Sequence, residues 1–490
     1  MWTSAGFTSY ADREVMRLFV LVSLAIWQSG CGAKTDFGNG MQSAGSGGSK
    51  AAGGVASASG TPTGGLAALA GAAGAYGGRS ALTGGASASR GTQPLGGMTN
   101  AAGSGGAASI GGFVSTGGAF AASAGGAGGL SATAATTTPP SNVTTAITAG
   151  FEHSCAVVNG GVRCWGDNMM GELGDGTWAN AKTPIQVQGI TANVTAIASN
   201  SHNCVIVNGA VQCWGYNSNY QLGTSSFSTG TPVPIQSITA GATSISAGSG
   251  HSCAVVNGAA LCCGSDQSGE LGDANTVTAV ASPVRVKGLT AGVTAIVAGG
   301  FHSCAIVNGA AQCWGENSFG RLGNGATANS LVPVQVQGLT SGGTAIATWG
   351  GHTCAIVNGA ALCWGYNYYG ELGNGTTANS TIPVPVQGLT AGVTAITVGN
   401  SHTCAIVSGA ALCWGYDGFG QLGNGIQTNN AMTPVHVQGL TSGVTSIAAG
   451  ETHTCAIVNG RAQCWGNNQF GQLGTGDTVT SAAPVTVVAL

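Results

Sequence analysis

From residue 141 to the end, the chain is cut into short apolar runs separated by glycine-rich polar stretches, and none of the runs keeps the spacing of a helix face. A representative stretch reads Phe301-His302-Ser303-Cys304-Ala305-Ile306-Val307, then Asn308-Gly309, then Ala310-Ala311-Gln312-Cys313-Trp314-Gly315. Asn-Gly between two apolar runs predicts a tight hairpin, because a type I′ turn needs positive φ at both central residues. With that pair as the loop, Val307 faces Ala310, Ile306 faces Ala311, Ala305 faces Gln312 and Cys304 faces Cys313. Beyond the hairpin come Trp-Gly-x-x-x-x-Gly-x-Leu-Gly, a loop, a strand of the type Pro333-Val334-Gln335-Val336 and another of the type Val293-Thr294-Ala295-Ile296.

This unit recurs. His-x-Cys, eight residues and then Cys-Trp-Gly start at His153, His202, His251, His302, His352, His402 and His453, the third copy carrying Cys262-Cys263-Gly264 instead of Cys-Trp-Gly. Four short strands in a repeat of about 50 residues, with glycine-rich turns, predict an all-β fold: a seven-bladed β-propeller of four-stranded antiparallel blades. The seventh copy ends at Pro484-Val485-Thr486-Val487, and a spare strand lies at Val143-Thr144-Thr145-Ala146-Ile147. Pairing these two is expected to complete the last blade and leave no open edge.

Fourteen of the sixteen cysteines belong to the repeat. Counting outward from the turn, each pair falls at a non-hydrogen-bonded position, where Cα atoms approach to about 4.5 Å, within disulfide range. The expected bridges are Cys155–Cys164, Cys204–Cys213, Cys253–Cys262, Cys304–Cys313, Cys354–Cys363, Cys404–Cys413 and Cys455–Cys464. The alternative is seven pairs of reduced core thiols. A metal reading is weaker, since each pair sits in its own blade.

Trp-Gly-x-x-x-x-Gly-Gln-Leu-Gly, found at Trp414 to Gly423 and Trp465 to Gly474, resembles the repeat of the regulator-of-chromosome-condensation family. The resemblance covers about residues 142–490 and implies a seven-bladed propeller. Within that family the eukaryotic founder is a nucleotide-exchange regulator of a small GTPase, and a secreted bacterial propeller inhibits β-lactamases. A light-sensing member uses Gly-Trp-Arg-His-Thr repeats, whose tryptophan cluster this chain lacks.

Composition divides the chain into three. Residues 32–140 are almost entirely Gly, Ala, Ser and Thr, which predicts a disordered, flexible linker. Residues 141–490 form the propeller, with six basic side chains against twelve acidic ones, a net of −6 that offers no footprint for nucleic acid. Residues 1–31 read as a signal peptide: Arg17 precedes the apolar run Leu18–Trp27, too short to span a bilayer, and Ser29-Gly30-Cys31 resembles a lipoprotein cleavage site. Cys31 then carries the lipid, although Gln28 departs from the aliphatic residue that pattern prefers; plain secretion is the fallback, and the start is Met1 or Met16. The expected location is the outer membrane or cell surface, where disulfides persist.

Candidate chemistry is sparse. The repeat histidines lie one per blade and are expected to hydrogen-bond backbone; His436 stands outside the pattern on a strand. Asp167-Asn168 and Asp175-Gly176 have the composition of a calcium loop, but other blades place Tyr, Asn or Thr there. No catalytic motif, cofactor fingerprint or metal set is found, so the chain reads as a non-enzymatic monomer without cofactor. Loops after Trp-Gly vary, and Tyr216, Tyr366, Tyr368 and Tyr416 are the candidate binding residues, with Trp178 and Met169-Met170 as lesser ones. Phe319, Tyr369, Phe419 and Phe470 recur before Gly-x-Leu-Gly and read as a packing slot. The expected activity is binding of an extracellular protein or glycan; the alternatives are nucleotide exchange and a propeller hydrolase or lyase. Cys263 is either a tolerated replacement for tryptophan or a thiol able to link chains.

Overall fold

The computed structural model describes residues 143–427 and 430–490. The expected signal segment 1–31, with Cys31, and the linker 32–140 fall outside the described residues. The 28 strands form seven four-stranded antiparallel sheets and no helix is present among the described residues. The blades run Thr144–Gln186, Val194–Pro234, Ala242–Arg285, Val293–Gln335, Gly343–Pro385, Val393–His436 and Val444–Thr486.

The hairpin register is the one the sequence predicts, with Cys304 opposite Cys313 and equivalent pairs in every blade. Its turns have φ of 50–52° at the first residue and 77–82° at the second, including blade six, where Ser408 replaces the asparagine. All seven disulfides are formed across the hairpins, with Cα atoms 4.0–4.1 Å apart.

Ring closure differs from the expectation. The Val-Thr-x-Ile strand pairs with the His-x-Cys strand that follows it, so Thr144–Ala149 belongs to blade one and does not complete blade seven. Each blade is built from consecutive chain, and the ring closes by face-to-face packing of blade seven on blade one. Ile147, Ala149, Ala156, Val158 and Trp165 of blade one share a core with Cys455, Ile457, Cys464 and Leu473 of blade seven. The outer edges stay open, and each fourth strand carries a proline (Pro184, Pro232, Pro283, Pro333, Pro383, Pro434, Pro484) that blunts pairing with another chain.

Every core lies between neighbouring blades. In one of them Ile306, Leu322, Val336 and the Cys304–Cys313 bridge of blade four meet Ile346, Ala355 and Trp364 of blade five. The disulfides are therefore core material as well as cross-links. Six of these cores are sealed by the tryptophan of the next blade, and the core between blades two and three has none, because Cys263 occupies that slot. The sealing indole normally sits on a glycine of the preceding blade: a Cβ on Gly272 would lie 2.6 Å from Trp314 Nε1 and 3.0 Å from Val286. At the equivalent Gly223 the neighbours are atoms of Ile235, the first of them 3.0 Å away.

Ile235 stands where the other blades have valine, and its extra methyl takes up part of the room that the indole leaves. Cys263→Trp alone is expected to destabilise by roughly 1–3 kcal/mol through overpacking, and Ile235→Val alone by about 1 kcal/mol. The double variant recovers at least the first loss, which urea unfolding of the four proteins checks; additive losses would contradict this packing.

Candidate functional site

The histidines are structural, but their partners are not the expected backbone groups. Each Nε2 bonds the side chain that follows the histidine in the next blade: His153 to Asn203 (2.9 Å), His202 to Ser252 (2.6 Å), His251 to Ser303 (2.8 Å), His302 to Thr353 (2.8 Å), His352 to Thr403 (2.8 Å), His402 to Thr454 (2.9 Å) and His453 to Ser154 (2.9 Å). The last bond joins blade seven to blade one, so the series is a closed ring.

Those side chains in turn donate to a carbonyl of the preceding blade, as Ser303 does to Glu270 O (2.8 Å), and the tryptophan indole donates to the same carbonyl, as Trp314 does (2.8 Å). Because the hydroxyl donates onward, and Asn203 Oδ1 can only accept, Nε2 carries the proton throughout. Burial pushes His153 and His251 down to about 4, His202, His352, His402 and His453 to about 3, and His302 well below its ordinary value. Neutral imidazoles spaced around the ring fill a fixed structural role, and no group of three or more His, Cys, Asp or Glu side chains able to hold a metal occurs among the described residues.

Strand direction places two sets of connections on one face: the turns between first and second strands, near the axis, and the loops between third and fourth strands. These loops are tightly latched. In blade five, Asn367 Nδ2 donates to the carbonyls of Thr376 (3.0 Å) and Ala378 (2.9 Å), while its Oδ1 accepts from Leu372 N–H (2.8 Å). Asn168, Asn217, Asn317 and Asn468 do the same in their blades. The calcium-like composition of blade one belongs to this latch: Asn168 Nδ2 reaches Asp175 Oδ1 at 3.3 Å, and Asp175 holds Thr177. Loops held this way display their side chains from a rigid frame.

On blades four, five and six the displayed side chains form one continuous aromatic array. Phe319 lies 5.1 Å from Tyr366, Tyr366 6.4 Å from Tyr368, Tyr368 4.9 Å from Tyr369, Tyr369 4.9 Å from Tyr416 and Tyr416 6.4 Å from Phe419, measured between ring centroids. Three of the four candidate tyrosines are thus brought together; Tyr216, half-buried on blade two, is not part of the array. Phe319, Tyr369 and Phe419 are not a buried packing slot: Phe319 is 40% exposed, the other two are half-buried, and all three belong to the array. Trp178 is exposed on blade one, and His436 is exposed on its strand.

Carboxylates underlie the rings. Glu371 is fully buried, accepts the Tyr369 N–H at 2.8 Å, and is pushed up to about 7 by burial. Burial, followed by the charge of Glu371 and the neighbouring phenols, raises Tyr366; burial and the adjacent phenols raise Tyr369. Arg321, buried and paired with Glu316, lies with its guanidinium carbon 5.4 Å from the Phe319 centroid. Nearer the axis, Phe151 of blade one packs on buried Trp349 of blade five at 5.5 Å. These blades are not neighbours, so the pair reaches across the axis of the propeller.

Cys263 is buried, and burial pushes its thiol up to about 12, which makes it inert toward other chains.

A model described as "RCC1-like domain" matches residues 116–456, about 70% of the chain, and the regulator of chromosome condensation (RCC1) repeat matches at 444–472 and 459–490. The chain belongs to the RCC1-like domain family. Solved structures similar to this RCC1-like propeller include human WBSCR16 (20% identity, TM-score 0.61, covering 66% of this chain and 93% of that one). Prp20p from Saccharomyces cerevisiae is 20% identical with a TM-score of 0.58, covering 69% of this chain and 86% of its own. The complex of Kap60 with yeast RCC1 (Prp20) gives 19% identity and 0.59, with 71% and 84% covered. At these identities the likeness is one of fold. Among curated proteins none matches the RCC1-like chain.

Proposed function

We propose that this RCC1-like propeller is an exported binding module that presents the aromatic face of blades four to six to a protein or glycan outside the cell. The observation that carries the reading is the continuous array of six rings on one face of blades four to six. Tyrosine and phenylalanine supply large contact area at little entropic cost and are enriched among interface anchors.

Export is supported by two independent features. Seven disulfides suit an oxidising compartment. The apolar run Leu18–Trp27 followed by Cys31 suits lipoprotein processing, which would anchor the chain by a lipid and leave residues 32–140 as a tether.

The test compares the full chain with a Tyr366→Ala, Tyr368→Ala, Tyr416→Ala variant of unchanged melting temperature, in capture of cell-surface proteins and on a panel of surface glycans. The wild type is expected to enrich a specific partner at least about tenfold over the variant, as loss of hot-spot anchors implies. Equal recovery by both proteins would remove the proposed face.

A further inference from the structure

We propose that the aromatic array recognises the guanidinium and ammonium groups of a basic peptide segment on its partner. This rests on the binding reading above and adds the chemistry of the ligand.

The array already holds a cation. Arg321 sits 5.4 Å from the Phe319 centroid at the blade-four end, the arrangement in which a guanidinium is drawn to the negative face of a ring. The remaining rings, Tyr366, Tyr368, Tyr369, Tyr416 and Phe419, continue from Phe319 in unbroken contact, and among the described residues blades four to six hold no second Lys or Arg to lie over them.

Charge agrees with this. Blades four to six contain Glu316, Glu371 and Asp417, and Arg321 is their one basic side chain apart from histidine, committed to Glu316. Beyond the Glu316–Arg321 pair, these blades hold two further carboxyl groups, Glu371 and Asp417, both buried, and no further basic side chain apart from histidine. Glu371 adds a second, independent sign: one carboxylate oxygen takes the Tyr369 N–H, while Oε1 is buried with no hydrogen-bond partner. Burial favours the protonated form of this carboxyl, and a cation seated on Tyr366 and Tyr369 would favour its ionised form through a medium of low dielectric, so cation binding and ionisation of Glu371 support each other.

Ring orientation argues against a sugar. Successive planes meet at 63° (Phe319 with Tyr366), 88° (Tyr368 with Tyr369), 51° (Tyr369 with Tyr416) and 73° (Tyr416 with Phe419). Only Tyr366 and Tyr368 approach a common plane, at 23°. A row of tilted rings offers clefts for side-chain cations and no flat platform for stacked pyranose rings.

The experiment is calorimetric titration of the full chain with an eight-residue peptide alternating arginine and glycine, and with the same peptide carrying glutamine for arginine. Protein variants are Tyr368→Leu with Tyr416→Leu, which keeps net charge and apolar bulk but removes two π-faces, and Tyr368→Phe with Tyr416→Phe, which keeps the rings. The arginine peptide is expected to bind the wild type with affinity that falls as salt rises, the Phe variant about equally, and the Leu variant about tenfold more weakly. The glutamine peptide gives no heat. Binding to the Leu variant as tight as to wild type would show general charge attraction, and no binding of the arginine peptide would exclude cation recognition; either overturns the proposal. If the arginine peptide is silent while the Ala variant still loses its captured partner, the face stands and its cationic ligand falls. Failure of both removes the face itself.

Discussion

Complete reduction of the seven disulfides is expected to abolish the cooperative thermal transition of the propeller. Each bridge closes a short hairpin, with its cysteines nine positions apart, and restricts the unfolded chain by roughly 2–3 kcal/mol in the loop-entropy model. Even with partial additivity, the seven approach the whole net stability of an ordinary domain, about 5–15 kcal/mol. The cores cannot make up the difference easily, since they are rich in Ala and Val and the bridges are themselves part of them. Because the cysteines are inaccessible in the folded state, the reductant must be applied during brief unfolding, with a non-reduced sample taken through the same cycle. Near-ultraviolet circular dichroism should collapse in the reduced sample only. A melting midpoint within a few degrees of the oxidised protein, after reduction is verified by mass, would contradict the expectation.

Acid should destabilise the fold steeply between about pH 6.5 and 4. The folded-state values of the seven repeat histidines lie below the ordinary 6.5 because of burial. The unfolded chain then binds their protons first, so their contribution is fully present above pH 6.5 and is lost as pH falls. Glu270 and Glu371, raised to about 7, and Asp266, raised to about 6, act in the opposite sense, since burial makes the folded state hold their protons longer. Seven imidazoles against three carboxyls leave a net uptake of about four protons on unfolding near pH 5, or about 5 kcal/mol per pH unit. The protonated ring finds no relief in place, because Nδ1 of His251, His302, His352, His402 and His453 has no hydrogen-bond partner. Urea midpoints measured from pH 8 to 4.5 check this; a flat profile below pH 6.5 would contradict neutral, buried histidines.

The hairpins, their register and the cysteine pairing were legible because Asn-Gly fixes the turn locally and everything else follows by counting. Strand order is not legible where the chain gives no local signal: Val-Thr-x-Ile strands are joined by short connections on both sides, and only packing decides which neighbour they pair with. The histidine ring was half visible. The residue after each histidine is always Ser, Thr or Asn (Ser154, Asn203, Ser252, Ser303, Thr353, Thr403, Thr454) on an otherwise apolar strand, but its partner lies one whole repeat away. Blades five and six put Tyr366, Tyr368 and Tyr416 side by side because they are adjacent in the ring, whereas Tyr216 on blade two had no such reason to join them. Phe319, Tyr369 and Phe419 were hidden by their own recurrence, since an aromatic residue repeated at one position reads as packing. The Phe151–Trp349 contact crosses the axis, a distance that no repeat spacing encodes.

The claim on which fold, compartment and function all depend is that every blade is stapled by its own disulfide in the native protein. Intact-mass analysis of the full chain from its producing cell, unfolded and alkylated without reductant, tests it directly. At most two adducts are expected, at Cys263 and, where it bears no lipid, Cys31, with the remaining fourteen cysteines labelled only after reduction. Labelling of many repeat cysteines before reduction would contradict it.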